Sequence, residues 1–339
     1  MRSAPLALRL AVTCLAGLAL VLGTVLVGLL AGSVPVAPGE VWLALTDPGR
    51  LDPATSAILL ELRLPRVVLG LLVGASLALA GSSFQGILRN PLADPYIVGT
   101  SAGAALGAAL ALVLHLPSPL PGLSPVPAMA FLGSLASMLA VYRLARIGNT
   151  VPVETFLLAG VVVGSFAGAM VSFLMAMDRE ELPRVVFWLM GSLAGADRSS
   201  AWLVAPYLLV GGTALYLLSP ALNLASLGDE AAWSLGVHVE RLKIGVVLAG
   251  SLVTAAAVSA SGLIGFLGLA VPHLARMLVG PDHRVLLPAS ALGGAAFLVL
   301  ADTVARTVAA PREIPVGVLT ALVGAPFFFL LLHRRRSLT

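Results

Sequence analysis

The sequence predicts an all-α, polytopic membrane protein of about ten transmembrane helices, and three observations lead there. Of 339 residues, 59% are hydrophobic and only 11% charged, against roughly 45–50% and about 25% in a soluble domain. The mean hydropathy is +1.02. Apolar stretches of about 20 residues, the length that crosses a bilayer, recur between short polar or Pro- and Gly-rich breaks. Ten such helices take about 200 residues and leave about 139 for loops and ends. A large soluble domain does not fit, and the whole chain, 1–339, reads as one transmembrane domain.

The first apolar stretch, 6–31, follows Arg2 and Arg9. It is long for a secretory signal peptide and membrane segments follow at once, so an uncleaved first helix is expected. Cys14, the single cysteine, excludes a disulfide framework and any cysteine metal cluster and reads as helix packing. The remaining spans are expected near 65–88, 96–115, 126–146, 153–177, 201–219, 243–260, 267–279, 286–308 and 315–333. The piece at 267–279 is too short to span alone. None alternates with period two, so helices rather than a barrel satisfy the backbone. Small residues at every fourth position, in Gly70-Gly74, Gly99-Gly103-Gly107 and Gly160-Gly164-Gly168, let helix backbones approach closely. Packing within one bundle, a pathway lining and a subunit interface all fit that spacing.

Basic residues set the orientation. Arg334, Arg335 and Arg336 belong in the cytoplasm, and an even helix count brings Arg2 and Arg9 to the same side, so both termini are expected to be cytoplasmic. Alternation adds Arg89, Arg143, Arg146, Arg241, Lys243, Arg276 and Arg284, which makes twelve of the twenty basic residues. The net charge of +4 therefore speaks of membrane orientation rather than of nucleic acid.

A phosphate-binding loop needs Gly-Lys-Ser/Thr. The one lysine, Lys243, follows Leu242, so this chain carries no such motif, and neither ATP hydrolysis nor a bound cofactor is expected of it. Asp302 and Arg306 stand four apart on one helical face, acid first, which suits a local ion pair. His273 and Arg276 fall near the solvated cytoplasmic end of the short segment. The five histidines show no metal-ligand spacing, and Met170, Met175 and Met177 read as apolar filler.

The loops carry more. Residues 219–241 form the longest cytoplasmic loop, with helix-forming stretches punctuated by Gly228 and Gly236 and with acids at Asp229, Glu230 and Glu240. A pair of short amphipathic helices fits, presented as a knob to a partner protein, since helices that lie on membranes are rich in Lys and Arg. Outside, Glu61-Leu62-Arg63-Leu64-Pro65-Arg66 opens the second span. Exposed there, Arg63 and Arg66 suit either bidentate pairs with carboxylates of a soluble partner or anchoring at lipid headgroups, and charge alone leaves both open.

These residues resemble the permease subunits of type II ABC importers, the FecCD-type family that moves ferric siderophores, haem and vitamin B12. The likeness is carried from Leu62 to Leu332 by Leu-Arg-Leu-Pro-Arg at 62–66, by Asn90-Pro91-Leu92-Ala93-Asp94-Pro95 and by Phe187-Trp188-Leu189-Met190-Gly191-Ser192-Leu193. It continues through Leu227-Gly228-Asp229-Glu230-Ala231, Gly265-Phe266-Leu267-Gly268-Leu269-Ala270-Val271-Pro272-His273-Leu274-Ala275-Arg276, Asp282-His283-Arg284, Ala301-Asp302-Thr303-Val304-Ala305-Arg306 and Pro315-Val316-Gly317. The resemblance implies a vitamin-B12-importer-permease-like bundle of ten spans in the cytoplasmic membrane, working as a homodimer. It also implies two cytoplasmic ATP-binding subunits, which hold the ATP and magnesium, and a periplasmic or surface binding protein. By the same resemblance Leu227, Gly228, Asp229, Glu230, Ala231, Leu235 and Gly236 couple to the ATPase. Arg63, Arg66 and Arg306 receive acidic residues of the binding protein. Asn90, Leu92, Val153 and Glu154 fall at cytoplasmic gates, although small polar residues are commoner at the last of these. Ferric siderophore is the first expectation for the cargo, with cobalamin and haem close behind. The different-class alternative is an ion-coupled secondary carrier.

Overall fold

The structure, a computed structural model, describes residues 5–118, 124–148 and 150–336. Among them there is no strand. The helices run in chain order: α1 (Leu6–Leu30), α2 (Pro38–Thr46), α3 (Pro53–Ala57), α4 (Leu64–Ile87), α5 (Thr100–Val113), α6 (Pro125–Ala145), α7 (Val153–Met177) and α8 (Leu182–Leu189). They continue with α9 (Arg198–Leu217), α10 (Ser219–Ala225), α11 (Asp229–Ser234), α12 (Val239–Ser261), α13 (Leu267–Val279), α14 (His283–Thr307) and α15 (Val316–Arg336). Seven stretches are long and apolar enough to cross a membrane, and three shorter apolar helices, α5, α13 and the first part of α15, complete the expected ten.

The centre of the bundle is the antiparallel pair α4 and α14, flanked by α12 and α13, with α1 outside on α14 and α9 on α12. Small residues set this arrangement. A side chain at Gly74 would collide with the carbonyl oxygen of Gly294, and one at Gly81 with that of Gly268, so α4 meets α14 and α13 backbone to backbone. Gly103 and Gly107 do the same for α5 against Gly133 and Met129 of α6. With no hydrophobic drive between helices in lipid, such close van der Waals contact is what holds them. Gly160 meets the Ile97 carbonyl, whereas Gly168 of the same repeat faces open space. Every-fourth spacing therefore marks buried contacts on α4, α5 and the start of α7, and an unpartnered face further along α7.

Two breaks interrupt the bundle. Before α5 the chain turns back at Gly99, and before α13 it passes through Gly262 and Phe266, all in the left-handed region. The Tyr96 hydroxyl satisfies the second break: it donates to the Ile264 carbonyl and accepts from the Ile264 N–H, both at 3.0 Å. Unwound backbone at this depth is tolerated because protein groups replace the missing helical bonds.

Three features bear on the sequence expectations. The second span starts at Pro53, not near 65, because α3 continues into α4 through a π-helical stretch, Ile58–Arg63. That stretch places Arg63 and Arg66 on a continuous helix. His273 is buried, not solvated. The 219–241 region holds the anticipated pair of short helices, α10 and α11. Arg2 lies outside the described residues, and the side chains of Arg334, Arg335 and Arg336 lie outside the described side chains.

Candidate functional site

The bundle has two chemically distinct ends. At one, called here the arginine end, α1 and α14 finish and α4 begins. At the other, the loop end, α4 finishes, α14 begins and α10 and α11 lie; a hydrogen bond from Arg9 Nη2 to the Val279 carbonyl, 2.8 Å, puts the start of α1 there too.

At the arginine end Arg63, Arg66 and Arg306 meet, from two distant parts of the chain, around a cavity of about 250 Å³ that Gly32, Ser33, Leu62, Ala194, Ala196 and Glu313 also line. All three arginines are buried, against the exposure expected of Arg63 and Arg66. Arg63 donates to the carbonyls of Leu29 (2.5 Å), Leu30 (3.1 Å) and Val34. Arg306 donates to the Gly28 carbonyl and, at 3.3 Å, to Thr303 Oγ1. Gly28, Leu29 and Leu30 are the last turn of α1, whose carbonyls have no helical partner and whose dipole favours a cation. Two guanidinium groups therefore cap one helix. Gly32 makes room for this, since a side chain there would collide with the Arg63 guanidinium.

Arg66 is held differently. Its Nε and Nη2 donate to the two oxygens of Asp302 at 2.8 Å each, a bidentate pair buried between α4 and α14, and its Nη1 donates to Glu313 Oε2 at 2.8 Å. The expected Asp302–Arg306 pair is present only as a 4.0 Å approach. Geometry decides the competition: α4 presents a planar fork square to the carboxylate, which the i,i+4 neighbour on the same helix does not.

At the loop end α10 and α11 are tied by polar bonds and topped by apolar side chains. Asn223 of α10 donates to Asp282 Oδ1 (2.7 Å) and accepts from the His283 N–H (2.8 Å), which joins α10 to the first turn of α14. Bonds from Arg284, and then from Asn223, hold the Asp282 carboxyl well below the usual carboxylate range despite opposing desolvation. Asp229 of α11 pairs with Arg89 just beyond α4 (2.9 Å) and lies 3.6 Å from Lys243 of α12. Lys243 also pairs with Glu240, which accepts from the Val151 N–H. Glu230 is exposed, as are Leu227, Trp233 and Leu235. Gly228 and Gly236 take positive φ at the two bends.

The four positions expected at gates lie at this same end. Asn90 accepts from the Leu92 N–H, 2.9 Å, which shapes the turn after α4, and Leu92 is exposed. Val153 lines a small apolar cavity with Leu88, Tyr142 and Phe156. Glu154 is exposed in the first turn of α7, where the helix dipole favours an acid. Asp302 as the partner of Arg66, and Glu313, Asn223 and Arg89 in their pairings, escaped the sequence reading. Each pairs with a residue at least 59 positions away, beyond the reach of local spacing. Among the described residues no group of His, Cys, Asp and Glu is placed to hold a metal ion.

Comparison with known proteins gives consistent results. The profile of the FecCD transport family matches residues 19–334. The chain is 47% identical to the hemin transport system permease protein HmuU of Yersinia pestis over 284 residues, covering 83% of this chain and 84% of that one. It is 46% identical to the cobalamin import system permease protein BtuC of Halobacterium salinarum over 311 residues, covering 89% and 82%. Among solved structures, a metal-chelate type ABC transporter in an inward-facing conformation superposes with a TM-score of 0.84 at 34% identity, covering 95% of this chain and 98% of that one.

Proposed function

Because the chain belongs to the FecCD transport family, we propose that it is the permease subunit of an ATP-driven importer and carries an iron chelate across the cytoplasmic membrane. The observation that carries this reading is the placement of its two ends. One bundle, with seven long and three shorter apolar helices among the described residues, holds an arginine-lined cavity at one end and, at the other, a polar-tethered knob with Leu227, Trp233 and Leu235 exposed. The arginine end faces outward and receives carboxylates of a soluble binding protein. The loop end faces the cytoplasm, where both termini lie, and the 219–241 knob, through Leu227–Ala231, Leu235 and Gly236, seats in an ATPase subunit that holds ATP and magnesium.

Two copies of the chain enclose the pathway. The unpartnered part of α7, where Val161, Phe166 and Phe173 are exposed beside Gly168, supports that arrangement. Asn90, Leu92, Val153 and Glu154 gate its cytoplasmic mouth. Arg89 links the turn that bears Asn90 and Leu92 to Asp229 of the knob, so a moving ATPase pulls on the gate through one ion pair. Discrete repacking of rigid helices suits such switching.

Reconstitution tests the whole reading. The chain, its ATPase and its binding protein are placed in liposomes, and uptake of labelled ferric siderophore, haem and cyanocobalamin is compared with and without ATP. Uptake of an iron chelate that requires both ATP and the binding protein is expected. Uptake that ignores ATP and follows an ion gradient would overturn the importer, and ATP-dependent uptake of cyanocobalamin alone would replace the cargo.

A further inference from the structure

We propose that Glu313 is a resident stand-in for the docking partner: its carboxylate occupies, on Arg66, the place that an acidic side chain of the binding protein takes, and so sets how tightly and how fast that protein docks. The proposal rests on the docking reading above and adds to it a competitor within the chain.

Glu313 lies in the connection between α14 and α15. Its backbone is fixed on the far side by the Ile314 N–H, which donates to the Ala305 carbonyl at 3.0 Å. Its side chain is 38% exposed at the cavity, where its Oε2 takes one bond from Arg66 Nη1. Asp302 holds the same guanidinium by two bonds, and its side chain is only 4% exposed. Arg66 is therefore gripped from inside by a carboxylate that water and partners do not reach. It is capped from outside by one that they do.

The other two arginines are tied to α1. Arg63 Nη1 is spent on the Leu29 and Leu30 carbonyls at the end of that helix and Nη2 on the Val34 carbonyl just beyond it, and Arg306 Nη2 is spent on the Gly28 carbonyl and Thr303. Releasing them uncaps a helix. Exchanging the Arg66–Glu313 bond uncaps nothing, since an incoming carboxylate replaces a carboxylate. Among the described residues that line the cavity Glu313 is also the only acid, so it is the carboxylate an acidic partner meets there. Rim charges of this kind act chiefly on association rate and its salt dependence.

The test uses the full permease with its ATPase in lipid nanodiscs and reads docking of the binding protein at two salt concentrations. Glu313→Gln is expected to lower the dissociation constant about two- to fivefold, the range of an exposed ion pair, through faster association that depends more steeply on salt. Glu313→Ala is a second variant with the same expectation and no new hydrogen-bonding group. Unchanged or weaker docking in both variants would overturn the proposal and make Glu313 a clamp that orients Arg66. Arg66→Glu separates the two claims: if it leaves docking intact, the docking reading itself fails whatever Glu313 does. If it abolishes docking while the Glu313 variants change nothing, only the inference fails.

Discussion

The two ends of this bundle hold their charges in opposite ways. At the arginine end the charges are buried and engaged within the chain: Arg63 and Arg306 cap α1, and Arg66 is forked onto Asp302. At the loop end the Arg89–Asp229 pair is half exposed, and what stands out to solvent is largely apolar, Leu227, Trp233 and Leu235, with Glu230 beside them. Under the proposed function, the contrast sets apart the ways in which one chain addresses two soluble partners. A partner at the first end gains by substituting one carboxylate for another, a nearly balanced and salt-sensitive exchange. A partner at the second gains by covering apolar surface, which salt screens little.

The sharpest way to break the contrast is to remove a carboxylate from each end. Asp302→Ala leaves the buried Arg66 with only its bond to Glu313 and is expected to cost about 3 kcal/mol, the low end for breaking a buried pair. Asp229→Ala gives up an exposed pair and is expected to cost less than about 1 kcal/mol. Thermal unfolding of the purified chain in detergent compares them, and equal losses would erase the difference between the ends. Next comes Trp233→Ala, which should weaken assembly with the ATPase about tenfold or more, as removal of a central aromatic anchor does. Co-purification across a salt series measures this, and a loss that grows with ionic strength would show that the knob docks by charge.

The smallest effect sharpens the loop end through pH. Hydrogen bonds from Arg284 and Asn223 keep the native Asp282 carboxyl below its unfolded value. The unfolded chain thus binds more protons as acidity rises, and stability increases with pH in that window. The contribution is complete well above about pH 4, the ordinary carboxylate value, and is lost as the pH falls toward the native one. Unfolding midpoints of the parent and of Asp282→Asn, followed downward from about pH 6, where an ordinary carboxylate is fully ionised, should converge in acid. A constant gap would remove Asp282 from the account.

Much of the fold was legible because hydrophobic run length is a local signal: α7 spans 153–177 and α13 spans 267–279, as their apolar stretches imply. The knob was legible for a similar reason, since Gly228 and Gly236 mark its bends within one continuous segment. The π-helical stretch before α4 was not, because Ile58–Arg63 has the composition of an ordinary helix and only its bonding differs. The roles of Arg63 and Arg306 were hidden for another reason. Their acceptors are backbone carbonyls of α1, 34 and 278 residues away, and a carbonyl has no letter in the sequence. Asp302 misled for the opposite reason: its neighbour Arg306 is visible at four residues, whereas its true partner Arg66 is 236 away.

The brevity of α13 bears on how the protein is made. Its 13 residues extend only about 20 Å at 1.5 Å each, well short of the roughly 30 Å hydrocarbon layer. As it leaves the ribosome the segment cannot enter lipid as an independent unit together with the unwound 262–266 stretch, because that backbone has nothing in hydrocarbon to bond. Its partners, the Tyr96 hydroxyl and the Gly81 face of α4, come from far earlier in translation. Those earlier spans must be standing in the membrane first, and they serve as the template on which the half-helix is laid down.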